Sequence, residues 1–192
     1  MARRSRRIGR LLAGFGVGCA ALLVPGVAAD ATVIEQQHYE GTFSDFYLDC
    51  GFRVEVEGEF SGTAHLRVGK GKTESAFFLH DNYQFREVHT NPANGKFFVL
   101  YGDGVFQETR ATRVEGSIFR FSQIDAGRPF TVEDQDGNVL LRDRGVVRFT
   151  ILFDTQGDDV PGGIFIETLD VSFGGPHPGF FVDPAEGCAL LS

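Results

Sequence analysis

Glu167 is the residue whose type and place in the pattern first invite chemistry. It shares strand parity with Phe165, Leu169, Val171 and Phe173, so an unbulged strand would aim its carboxylate into an apolar core. A carboxylate there needs a partner, and Arg120, Arg148 or a bound ligand would serve. A bulge near Glu167 would instead turn it to solvent. His177 is the second candidate, set in Gly174-Gly175-Pro176-His177-Pro178-Gly179. The two prolines bar this segment from a central strand and leave either a rigid crossing loop or the lip of a binding site. His80 and His89 lie close to Asp81 and Glu87, a pairing capable of general acid–base work, although surface or rim histidines are the simpler reading.

Other clusters reduce to turns. Asp134-Gln135-Asp136-Gly137-Asn138 begins like a calcium loop, but its twelfth position is Gly145, which offers no side-chain ligand. An Asp-Gly hairpin turn accounts for it. Asp154, Asp158 and Asp159 crowd a second loop as solvated acids or a weak cation site. The five histidines show no metal-binding spacing, and no nucleophile elbow or phosphate loop occurs. No catalytic residue, metal ligand or cofactor is therefore assigned. Cys50 and Cys188, 138 residues apart, make an even pair after removal of the first 29 residues, and in an oxidising compartment they read as a disulfide. Closing so long a loop is worth about 5 kcal/mol at most.

The elements that must position these residues read as strands. Phe52, Val54, Val56 and Phe60 fall on one face of a strand, with Arg53, Glu55, Glu57 and Glu59 on the other. Such alternation marks an antiparallel sheet covered on one side. Further strands are predicted at Ala64–Val68, 75–79, Tyr83–His89, Lys96–Tyr101, Phe130–Val132, Val139–Leu141, Val147–Phe153 and Ile164–Phe173, with Asp103-Gly104 opening another. Roughly eight to ten strands, about ten residues apart, predict a single all-β domain over residues 30–192. A closed antiparallel β-barrel is expected, with a β-sandwich as the alternative.

Residues 1–29 carry an address. Five arginines between Arg3 and Arg10, an apolar run from Leu11 to Leu23, and the small residues Val27-Ala28-Ala29 predict a cleaved export signal, by the Sec or twin-arginine route. Without those five arginines, 13 basic residues face 26 acidic ones, a net charge of −13. That surface disfavours nucleic acid and anionic membrane and favours a cationic partner. The chain has no Trp, and 19 of its 20 Phe follow the signal, so Phe must supply much of the core.

Asp49-Cys50-Gly51-Phe52, the late Gly175-Pro176-His177-Pro178 and Cys188 together carry a resemblance to uncharacterised exported all-β proteins of high-GC bacteria. In outline the chain is also similar to lipocalin-like and dirigent-like barrels, though the Gly-x-Trp mark of lipocalins is absent. The resemblance implies an exported β-fold and carries no catalytic residue onto this sequence. Three activities are open. The first is a secreted barrel binding a small apolar ligand, with Glu167 and His177 as candidate contacts. The second is a pocketless interaction module for a cationic protein. The third is an isomerase or lyase that uses Glu167. The oligomeric state is open.

Overall fold

Long strands dominate because Val, Phe, Ile and Tyr alternate with polar residues over most of the chain, a period that suits a half-buried pleat. A computed structural model describes residues 35–192 apart from 74, 75, 159 and 182. The export signal predicted for residues 1–29 lies outside that range. The strands are β1 (Glu35–Tyr47), β2 (Val54–Val68), β3 (Phe77–Thr90), β4 (Phe97–Glu115), β5 (Ile118–Asp134), β6 (Val139–Arg142), β7 (Gly145–Asp154) and β8 (Ile164–Gly174). One helix follows, α1 (Pro184–Leu191).

The eight strands form one antiparallel sheet in the order β1-β2-β3-β4-β5-β7-β8, with β6 beside the far end of β5. All-β architecture is as expected from the pattern. Closure is not: among the described residues β1 and β8 each have a neighbour on one side only, so the sheet is open. Sequential hairpins create neighbours in chain order, but joining the last strand to the first depends on curvature, which local pattern does not encode.

Several predicted strands merge. The segments around 75–79 and 83–89 are one strand, β3, and Gly102 and Gly104 lie inside β4 rather than between two strands. These glycines accept rings. In the register Tyr39 faces Gly62, Phe60 faces Gly41, Phe43 faces Gly58, Tyr83 faces Gly104 and Phe85 faces Gly102. A Cβ on Gly58 would stand 2.3 Å from the Phe43 ring, and one on Gly102 would stand 2.7 Å from Phe85. Aromatic rings thus lie flat over strand glycines and recover the contact that glycine lacks.

The same device bends the sheet. Tyr39 reaches across β2 to Asp81 on β3, and Tyr83 reaches across β4 to Asp125 on β5. The Phe85 and Phe130 rings lie 6.4 Å apart although β4 runs between their strands. Strands two apart in a flat sheet are about 9.6 Å apart, so such contacts need small intervening residues and curvature toward the face that carries the rings. We call that the inner face.

Apolar cores occupy the two ends of the inner face. Phe119, Phe121, Ala111, Ala76 and Ile151 form one, and Val54, Phe98 and Leu191 form the other. Leu191 belongs to α1, whose first turn is capped by Asp183 accepting from the Ala185 N–H at 2.9 Å. Asn91 and Asn94 each donate a side-chain N–H to the Leu191 carbonyl. Cys188 in α1 is bonded to Cys50, so the chain's end is fixed covalently to the β1–β2 connection.

Candidate functional site

Between the two apolar ends, the middle of the inner face is chemically different. One register row runs Gln37, Ala64, Asp81, Phe106, Asp125, Val147, Phe173, and the next runs Tyr39, Gly62, Tyr83, Gly104, Gly127. Beyond them come Gly41, Phe60, Phe85, Gly102 and then Phe43, Gly58, Glu87, Leu100, Val132. These four rows hold three acids and no lysine or arginine. Alternation along each strand sends the basic side chains Arg86, Arg120 and Arg148 to the other face.

Two Tyr–Asp pairs link the first two rows. The Tyr39 hydroxyl donates to Asp81 Oδ2 at 2.7 Å, and the Tyr83 hydroxyl donates to Asp125 Oδ1 at 2.8 Å. Burial, reinforced by the neighbouring carboxylate, raises both phenols above their ordinary range, so both remain donors across the physiological range. Burial likewise raises the Asp125 carboxyl, against the opposing effects of the Tyr83 hydroxyl and His177. Asp81 Oδ1 is buried with no hydrogen-bond partner among the described residues.

His177 closes this region from above. The β8 strand ends at Gly174, and a 3-10 turn over Pro178–Phe181 folds back so that His177 is 4% exposed. Its ring lies 5.4 Å from Phe173 and 6.0 Å from Phe180. Its Nδ1 is 4.0 Å from Oδ2 of Asp143, a fully buried carboxylate whose Oδ1 accepts from the Gly179 N–H at 2.7 Å. Asp143 Oδ2 and both His177 ring nitrogens lack hydrogen-bond partners among the described residues. Burial raises the Asp143 carboxyl, with the Gly179 N–H and His177 opposing. His177 therefore lies in the connection between β8 and α1, packed against the Phe173 and Phe180 rings rather than open at the surface.

Glu167 follows the bulged reading. Register shifts between Thr150/Ile151 and Leu152/Phe153 leave Glu167 opposite Leu152, while Phe165 faces Phe153 and Val171 faces Phe149. The carboxylate is exposed on the face opposite those rings, and the sheet does not bring it to His177. The other acidic clusters are turns. Asp134 accepts from the Asp136 and Asn138 N–H groups and from the Asn138 side chain, and these bonds hold it below its usual range. Asp154 and Asp158 accept from the Gln156 and Val160 N–H groups, while Asp159 lies outside the described residues. Among the described residues no three His, Cys, Asp or Glu side chains are placed to hold a metal ion. His89 and Glu87 meet at 3.0 Å on β3 with the Phe98 ring stacked on the imidazole, whereas His80 faces His65.

Tyr39, Asp81, Tyr83, Asp125 and Asp143 were not legible as a site in sequence. The Tyr and Asp of each bonded pair lie 42 residues apart. A Tyr–Gly–Asp recurrence on three successive strands would be the signal, visible only once the register is known.

Glu108 stands at the edge of this region and accepts from the Leu79 N–H at 2.8 Å and the Gln123 side chain at 3.0 Å. Burial outweighs these bonds and raises its carboxyl above the usual value. The folded state then holds the proton more tightly than the unfolded chain, so stability falls as pH rises through the window from the unfolded to the folded value. Glu108→Gln keeps an acceptor for Leu79 and removes the ionisation. Urea midpoints measured at pH 4 and pH 7 are expected to separate less in this variant than in the parent; an equal or larger separation would exclude Glu108 as a source of the slope.

A groove of about 450 Å³ at β1–β3 is lined by Phe43 and Gly58 of the fourth row together with Thr42, Glu57, Glu59 and Arg86. No helix among the described residues is long and apolar enough to cross a membrane. No family model, curated protein or solved structure matches the chain.

Proposed function

We propose that this is an exported protein whose curved inner face forms a barrel-like cup for a small apolar ligand. The observation that carries the reading is the separation of the inner face into two packed apolar ends and a ring-lined middle. There Phe43, Phe60 and Phe173 keep 37–38% of their surface exposed. Exposed rings grouped on one face mark a surface meant to be covered. The acceptors on the same rows, Asp81 and Asp125, suit a ligand that carries a hydrogen-bond donor at one end. His177 with Asp143 forms the polar end of the cup, and Glu167 has no part in it. Its exposed position on the opposite face also leaves the isomerase or lyase reading without support. The Cys50–Cys188 bond agrees with life in an oxidising compartment and so with the export signal.

Native mass spectrometry of the protein recovered from its own host tests this. An extra stoichiometric mass that leaves on denaturation is the expected result. Phe43→Ala, a change at a partly exposed ring on the first strand, should weaken binding of that molecule by about tenfold or more. A bare mass, together with no binding of an anilinonaphthalene sulfonate probe to the parent, would overturn the reading.

A further inference from the structure

A second surface of the molecule lies along β8, which shares Phe173 with the rings of the cup. All eleven residues of β8 are exposed, and among the described residues the strand pairs with β7 alone. Ile164, Phe165, Ile166, Leu169, Val171 and Phe173 each leave between 38% and 56% of their area in solvent. An edge of this length is ordinarily guarded by lysine, proline, brevity or bulges, because its free N–H and C=O groups template another strand. The β8 strand contains neither lysine nor proline, and its guards are the two bulges that leave Ile166 and Leu169 without partners on β7. Covering its exposed apolar side chains would remove on the order of 500 Å² from this chain alone, a large part of what a standard interface buries per partner.

Charge decides which occupant fits. The only ionisable side chains of β8 are Glu167 and Asp170. The other free edge, β1, carries Glu35, Glu40 and Asp45 with His38, and again no lysine or arginine. A second copy would bring no lysine or arginine to face Glu167 and Asp170 on either edge, and like charges placed across a strand pair are destabilising. The two edges therefore repel copies of the chain while leaving β8 open to the opposite sign. We propose that β8 accepts, as an added antiparallel strand, an extended segment of another protein in which apolar residues alternate with lysine or arginine. Backbone hydrogen bonds supply affinity in such an addition, and side-chain pairing supplies selectivity. Glu167 and Asp170 are then selectivity residues that face the partner's basic side chains.

The test uses the protein recovered from its host and two synthetic decapeptides, one alternating valine with lysine and the other valine with glutamate. Hydrogen exchange followed by mass spectrometry should show amides of residues 164–174 slowed about tenfold or more by the lysine peptide, with β1 unchanged and the glutamate peptide without effect. The double variant Glu167→Lys, Asp170→Lys alters two exposed side chains and leaves the core alone, and it should reverse the peptide preference. Slowing that spreads over the acidic surface without localising to β8 would overturn the proposal. So would equal response to both peptides, or an unchanged preference in the double variant. Slowing of β8 by raised protein concentration alone, with a dimer in sedimentation velocity, would assign the edge to a second copy instead. None of these outcomes bears on ligand mass in the cup, so the two readings fail separately.

Discussion

Replacing Cys50 and Cys188 with serine together is expected to lower the thermal midpoint by about 10 to 20 °C, the largest loss available from so small a chemical change. The bond spans 138 residues, so in the unfolded chain it removes the freedom of nearly the whole domain. The chain-entropy estimate for such a loop is about 5 kcal/mol, and in a domain of this size each kcal/mol moves the midpoint by about 2–4 °C. The folded state adds its own reason. The α1 helix is only eight residues long, too short to persist without tertiary support, and it is held by the bond, by Leu191 against Val54 and Phe98, and by Asn91 and Asn94. Circular dichroism melts of the parent with and without reductant, beside the double serine variant, provide the measurement. A midpoint within 3 °C of the parent would mean that α1 docks without its covalent tie.

Gly145→Val is expected to cost about 3 kcal/mol or more and to loosen β8 from β7. Gly145 has φ = +123°, a backbone conformation that valine adopts only under strain. A Cβ there would also stand 2.1 Å from the Gly174 carbonyl oxygen and 3.1 Å from the Gly175 Cα. Both neighbours are backbone at the end of β8, so relief requires that end to move, and with it the loop that places His177 on Asp143. Gly137→Ala is the control. It too has positive φ, but an added Cβ meets nothing within 4 Å, so strain alone should cost about 1 kcal/mol. Urea unfolding of both variants separates the two contributions. Equal losses would show that crowding against β8 is negligible.

The strand content was legible because period-two alternation is a local property of the chain, and it survives in β2 as Val54 and Val56 buried between exposed Arg53, Glu55 and Glu57. The hairpin at Asp136-Gly137 was legible for the same reason: its turn chemistry is contained in five residues. Glycine misled where it served a distant partner. Asp103-Gly104 read as the opening of a new strand, yet Gly104, like Gly102, sits within β4 against Tyr83 and Phe85 from the neighbouring strand. Glu167 was an ambiguity the pattern could pose but not resolve, since a bulge changes parity without changing composition.

By itself, then, the amino-acid order determined the all-β class, the acidic composition and, with the predicted signal that carries Cys19 set aside, the pairing of Cys50 with Cys188, because each depends on composition, local period or the number of candidates. Tertiary structure alone decided that the sheet stays open, that Tyr39 and Tyr83 reach Asp81 and Asp125 across a glycine, and that His177 rests buried beside Asp143. It also decided that β8 is left as an apolar acidic edge. The physical reason is common to all four. They are set by strand register and sheet curvature, which sum small contributions from many distant pairs, and no short window of sequence contains that sum.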